Sequence, residues 1–244
     1  MQTAFCSVLR LLKCLTLISL TGLFTFVAKI PEANAFWLLN FQTAATMPTG
    51  ALGFIGGTGG QFTSVGSPAN SSFTPFLAHA GIRYGLSDHV DIGYRLCTVP
   101  LPYSSAGPSL GAEIDIKVRL MPTSSAWQVS LVGGIGYSYL LISDQTKNAW
   151  SPGIDLILTH PISEGLDLSW NARYVYTAIP SASGGSGANN VQARGGSMGI
   201  RIALTSNVSL LPEIGIFDFV GSLSDKSLNG WGAQYGAVLS ARLF

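Results

Sequence analysis

The sequence predicts an all-β chain, a transmembrane antiparallel up-and-down barrel of about ten strands with a polar interior. Three observations carry that expectation. Apolar and polar side chains alternate with a period of two across most of residues 73–244. Turn signals separate the alternating stretches at regular intervals. Beyond the N-terminal leader no apolar run reaches 18 residues, so a membrane span must be made of strands, and only a closed sheet satisfies every backbone group there.

The leader comes first. Arg10 and Lys13 precede an apolar run from Leu15 to Val27, and Ala33-Asn34-Ala35 follows, which is the order of parts in a secretory signal peptide. The run is shorter than the roughly 20 residues of a spanning helix. Residues 1–35 are therefore read as a cleaved signal peptide and 36–244 as one barrel domain. Cys14 follows Lys13 and not a small residue, which argues against a lipoprotein cleavage box. With Cys6 and Cys14 removed, Cys97 is the one remaining thiol, and no intramolecular disulfide can form. The charge is low and balanced, 13 Lys and Arg against 12 Asp and Glu, and lacks the basic patch of a nucleic-acid binder.

Phe36 and Trp37 stand where an interfacial aromatic anchor is expected, while the role of residues 36–50 stays open. A first strand is expected within 52–57, followed by a long polar loop over 58–72. The clearest hairpin is Ala78–Leu96. Its first arm sets Ala80, Ile82, Tyr84 and Leu86 on one face, and its second sets Val90, Ile92, Tyr94 and Leu96 there. Pairing Leu86 with Val90 places Tyr84 opposite Ile92 and Ile82 opposite Tyr94, favourable aromatic to β-branched pairs. The other face then brings Arg83 diagonal to Asp91, with a glycine opposite each of Arg83 and Arg95.

Pro100 and Pro102 end that hairpin. Ala112, Ile114, Ile116, Val118 and Leu120 then alternate with Glu113, Asp115, Lys117 and Arg119, so one face is oily and the other highly polar. The next strand answers with Trp127, Val129, Leu131, Ile135, Tyr137 and Tyr139 outside and small residues inside, and pairing Leu120 with Trp127 is the expected register. From Trp127 to Tyr137 the chain climbs about 33 Å of strand, or about 25 Å of height at the usual tilt, the apolar thickness of an outer membrane.

Ile154, Leu156 and Leu158 continue the pattern, then a turn at 161–165, then Leu166, Leu168, Trp170, Ala172, Tyr174 and Tyr176. After a Ser, Gly and Asn loop at 180–190 come Met198, Ile200, Ile202 and Leu204, then Val208–Phe219, in which Pro212 implies an interrupted ladder. Trp231–Phe244 ends the chain. The count is ten strands within a range of eight to twelve, with short turns at one end and longer loops at about 58–72, 102–109, 142–149, 180–191 and 221–230.

The signal, the alternation, the turns and the terminal Phe244 resemble bacterial outer-membrane β-barrel proteins, of the small OmpA/OmpX-like or porin-like kind. That resemblance implies localisation in the bacterial outer membrane and Phe244 as the insertion signal. It implies as partners the outer-membrane lipid, lipopolysaccharide and the insertion machinery. The family usually has apolar residues at the third and fifth places from the end. Here these are Arg242 and Ser240, and the outward set Tyr235, Ala237, Leu239, Ala241 and Leu243 leaves Phe244 out of phase.

No catalytic site emerges. His89 falls in a predicted turn and His160 at a strand end, both at the turn end of the barrel. His79 faces inward directly across from Cys97, a candidate dyad without an acidic orienter or an oxyanion donor. Carboxylates alternate with Arg and Lys instead of clustering at ligand spacing, and the Gly-rich stretches 56–60 and 184–187 lack the lysine and helix of a phosphate cradle. No cofactor or metal is implied. The inward charges are Arg83, Arg95, Lys117, Arg119, Arg173, Arg201 and Arg242 with Asp91, Glu113, Asp115, Asp155, Asp167 and Glu213. So even a mixture suits an ion-paired, side-chain-filled lumen and a structural or surface-interaction role. The alternatives are a narrow, weakly selective pore, a rim enzyme acting on lipid or peptide, and a secreted soluble ligand-binding barrel.

Overall fold

The computed structural model describes residues 38–66, 68–99, 109–142, 145–179, 189–223 and 226–243. Ten strands follow in order: β1 (Leu52–Val65), β2 (Asn70–Ser87), β3 (Val90–Val99), β4 (Ser109–Arg119), β5 (Gln128–Ile142), β6 (Gln145–Ser163), β7 (Leu166–Ile179), β8 (Asn189–Ala203), β9 (Val208–Leu223) and β10 (Lys226–Arg242). Each pairs antiparallel with its sequence neighbours. β10 returns to β1, from Gly53 opposite Arg242 to Val65 opposite Gly230, and closes the barrel.

Period-two alternation now has a spatial meaning. Ile82, Tyr84, Tyr94, Ile114, Ile116, Ile154 and Ile214 stand exposed on the outer wall, whereas Arg83, Asp91, Arg95, Asp115 and Lys117 are buried inside. Apolar outside and charged inside inverts the polarity of a soluble barrel, and it is the architecture of a transmembrane barrel. Aromatics gather at two levels of the outer wall. Trp127 stacks on His160 with ring centroids 4.7 Å apart and meets Trp170 at 5.5 Å towards the turn end, while Tyr137 meets Trp150 edge-on at 4.8 Å towards the loop end.

The β2–β3 register is the expected one, with Ile82 opposite Tyr94, Tyr84 opposite Ile92 and His79 opposite Cys97. Only Leu86 departs, because a bulge lets Ser87 take Val90. β4 and β5 do not pair Leu120 with Trp127. Arg119 faces Ser130, a slip of two residues that keeps every face and puts Gly136 opposite Glu113 and Gly134 opposite Asp115. Two carboxylates thereby gain room that Val132 would have denied one of them.

The long loop expected over 58–72 is mostly strand. β1 runs to Val65 and β2 starts at Asn70, since Gly, Ser and Thr here pair on both sides. Likewise β5 and β6 leave only residues 143–144 between them, and β9 and β10 only 224–225, so long loops do not alternate with short turns throughout. Pro75 and Phe76 sit in a bulge opposite Gly60, both exposed, which switches the inward set of β2 from even to odd positions. Pro212 does interrupt a ladder: β8 and β9 pair as far as Gly199 with Glu213 and resume at Ile202 with Leu210.

The interior divides along the barrel. Charges occupy the turn half of the β2–β7 wall. Towards the loops Val65, Val175, Val191, Ala193, Phe217, Phe219 and Leu228 form an apolar core inside the barrel. The signal peptide, Phe36, Trp37 and Phe244 lie outside the described residues.

A cation on the outer wall tests the inverted polarity. Ile116→Arg should lower stability in lipid vesicles by about 2–4 kcal/mol, read from urea titration, and Ser124→Arg on the exposed turn should change it by under about 0.5 kcal/mol.

Candidate functional site

The site is the lumen, and its main occupant is the segment before β1. Residues 38–47 form no strand, yet Leu38, Leu39, Asn40, Phe41, Gln42 and Ala44 are buried within the barrel. Glycines open its path. A Cβ on Gly236 would lie 2.7 Å from Phe41, one on Gly53 3.0 Å from Met47, and one on Gly85 2.0 Å from the Pro48 carbonyl. Phe41 also packs its ring against His79, centroids 5.5 Å apart.

A chain that pairs with no strand must satisfy its polar groups otherwise. Side chains of the wall do so. Leu38 and Leu39 donate their N–H groups to Gln234 Oε1 at 2.7 and 3.1 Å, and Gln234 in turn donates to Gln61. Asn40 and Phe41 donate to the two oxygens of Glu213 at 3.0 and 2.6 Å. Phe41 has a left-handed φ of 50°, and two successive amides converging on one carboxylate make an anion-binding nest. Ser197 and Asn171 also donate to Glu213, so this buried acid is held by hydrogen bonds. Further down, Ala44 donates to Thr159 Oγ1 at 2.8 Å and Met47 to Asp91 Oδ2 at 2.8 Å. Lys117 Nζ donates to the carbonyls of Thr43 and Ala45, and Ser130 donates to that of Ala44.

Eight inward charges form two groups. Arg83 binds Asp91 and Asp115, and Lys117 lies 3.5 Å from Asp91. Arg95 binds Glu113, while Arg173 reaches Glu113 at 2.7 Å and Asp155 at 3.3 Å. Each group holds two cations and two anions and is neutral. Gly93 stands opposite Arg83, and a Cβ there would fall 2.3 Å from its Nη2. The expected network thus gathers Arg83, Asp91, Arg95, Glu113, Asp115, Lys117, Asp155 and Arg173. Arg201 and Asp167 pair separately at 2.6 Å near the turns. Arg242 is exposed and donates to Asn207 Oδ1 at 3.1 Å, and among the described residues neither it nor Arg119 joins either group, because both lie at the barrel's rim. Glu213 belongs to the segment's binding site and not to the ion pairs.

His79 and Cys97 are register partners, as expected, but the Cys97 thiol points to the Gly111 carbonyl at 3.7 Å, and the His79 ring lies against Phe41. Among the described residues no group of three or more His, Cys, Asp or Glu is placed to hold a metal.

At the turn end the segment is clasped to the β2–β3 turn. Thr46 donates its hydroxyl to the Asp88 carbonyl at 2.7 Å, and Thr49 donates to Asp88 Oδ1 at 2.8 Å. The Thr49 hydroxyl, then its amide, hold the Asp88 carboxyl below its ordinary range.

No family model matches the chain, and no curated protein does. Solved structures similar to it include the outer-membrane protease OmpT of Escherichia coli, 10% identical over 84% of this chain and 100% of that one, TM-score 0.47. An outer-membrane channel of Pseudomonas putida F1 is 9% identical over 84% and 100%, TM-score 0.49. The NanC porin is 11% identical over 76% and 98%, TM-score 0.38. No role passes from them to this chain.

Two measurements test the site. Asp115→Ala leaves Arg83 with one partner in a dry wall and should cost about 3–5 kcal/mol by equilibrium unfolding, with Arg242→Ala close to neutral. Asp88 has a lowered folded-state pKa, so its contribution is present at neutral pH and fades as pH falls through that value. Thr49→Val should raise the pKa towards the ordinary carboxylate range, read by NMR titration.

Proposed function

We propose that the chain is an integral barrel of the bacterial outer membrane, exported through a cleaved signal peptide, with a structural or surface-interaction role and a lumen closed at rest. The observation that carries this reading is the double occupation of the lumen. Two neutral ion-pair groups line one wall, and residues 38–47 fill the space between that wall and the other. An ion-selective pore needs a continuous wet path with one sign of charge at its constriction, whereas here opposite charges on β2, β3, β4, β6 and β7 pair with one another.

The outer wall supports the membrane setting. Arg194 and Asp218 face outward and pair at 2.9 Å, and register puts Tyr174 beside Arg194 and Trp231 beside Asp218. A solvated ion pair beside two aromatics marks the headgroup level, where lipopolysaccharide is the natural neighbour. We read the protein as a non-enzyme, a reading supported by the Cys97 thiol, which is aimed at the Gly111 carbonyl, and by the His79 ring, which lies against Phe41. A narrow pore is the second reading, and one observation favours it: the segment is held by hydrogen bonds and packing alone, so its departure would open a path.

Reconstitution into planar bilayers tests the proposal. Wild-type protein should give no steady steps beyond brief, small events. Large, long-lived, water-filled single-channel steps would overturn the closed lumen. Carbonate extraction tests the setting independently, since recovery of the mature protein in the aqueous fraction would overturn membrane integration.

A further inference from the structure

We infer that the lumen is a built receptor for a peptide main chain, with segment 38–47 as its resident and exchangeable ligand. Most of the hydrogen bonds that hold the segment go from wall side chains to its backbone, whereas Thr46 uses its own hydroxyl on the Asp88 carbonyl. Gln234, Glu213, Thr159 and Asp91 accept its amides, while Lys117 and Ser130 donate to its carbonyls. These six residues sit on six different strands, β10, β9, β6, β3, β4 and β5. Such contacts read features that every peptide possesses.

Their arrangement matches a peptide's own polarity. Lys117 and Asp91 lie 3.5 Å apart, and the segment runs past both, carbonyls of Thr43 and Ala45 on the cation and the Met47 amide on the anion. Glu213 repeats the motif without a cation partner of its own. Within the described residues it is compensated by two amides of the segment, with Ser197 and Asn171 alongside. Removing the segment would leave a buried carboxylate short of two donors, so this wall is shaped for an occupant.

Side-chain demands on the ligand are few. Leu38, Leu39 and Phe41 enter the apolar core with Leu77, Phe217 and Val238, and Ala44 packs between Val132 and Ile157. The ligand class is therefore a peptide with apolar residues at those three places, a left-handed turn at the Phe41 place, a small residue at the Ala44 place, and N–H groups at 38, 39, 40, 41, 44 and 47. Proline at any of the last four would remove a contact. This inference rests on the geometry of the lumen and is read in detergent, so it stands or falls apart from the membrane assignment and from conductance.

The experiment keeps the intact barrel. A protease recognition sequence inserted between Pro48 and Thr49, both exposed, is cut only after the full chain has folded and been purified in detergent. The released fragment should co-elute with the barrel and exchange with a fluorescent peptide of residues 38–47, read as a rise in anisotropy. A peptide keeping Leu38, Leu39 and Phe41 with alanine at its other positions should bind within about threefold of the parent. N-methylation at Asn40, Phe41 and Ala44 should weaken binding by about a hundredfold or more, as loss of several buried hydrogen bonds requires. The uncut chain should show no binding, because the tethered copy competes at a very high effective concentration. Equal binding of the N-methylated peptide, loss of the fragment without rebinding, or a fragment that never exchanges would each overturn the inference. In the uncut chain, Glu213→Gln combined with Ser197→Ala should speed deuterium exchange at the amides of residues 40 and 41 while ladder amides of β9 and β10 stay protected. Unchanged protection at 40 and 41 would also overturn it.

Discussion

Closure of ten strands on one another is the constraint from which the rest follows. It removes both sheet edges, so the wall needs no partner, and it fixes an interior slightly wider than the eight-stranded barrels that side chains alone can fill. The remaining space must hold water, long side chains or more polypeptide. This chain uses the last two, and it distributes them unevenly: the paired long charges sit on β2 to β7, and the threaded segment spans from that wall to β9 and β10.

That asymmetry explains the lumen's electrostatics. Burying eight charges is costly, and Coulomb attraction offsets the cost only when partners are close and their remaining lone pairs are satisfied. Each neutral group meets the condition by joining adjacent-strand pairs to a longer reach, Arg83 of β2 to Asp115 of β4 and Arg173 of β7 to Glu113 of β4, with glycine opposite Arg83 and Arg95. Glu213 meets it by a different route, since no cation lies within ion-pair reach of it among the described residues and backbone dipoles take the role. Both solutions depend on the segment, whose amides and carbonyls complete the coordination of Asp91, Lys117 and Glu213.

Much of the wall was legible because a strand's side chains alternate strictly. Alternation identifies faces, and in β2 and β3 the cross-strand pairs also identified register. It does not distinguish registers that differ by two residues, which is why β4 and β5 were expected one pair out of place. Composition misled at residues 58–72. Gly, Ser and Thr read as loop in isolation, but on a wall that faces a threaded chain, small residues are what the packing requires. Segment 38–47 carried no local signal at all, since its shape is imposed by contacts 42 to 196 positions away in sequence. One hint was available in retrospect: an uncompensated inward acid at position 213 with polar Gln61 and Gln234 nearby in the barrel, neither of which ion pairing explains.

The join between the segment and β1 has a consequence for assembly. Ala51 links them directly at the turn end, where its amide bonds to the Pro48 carbonyl and Gly50 bonds to Gly85. The chain therefore doubles back on itself before the first strand begins, and no free end has to pass through a finished ring. Sheet growth from β2 to β10 can curl around a thread already laid along its concave side, and the β1–β10 seam shuts last. The thread is then enclosed as the ring completes, at a girth that the ten strands set.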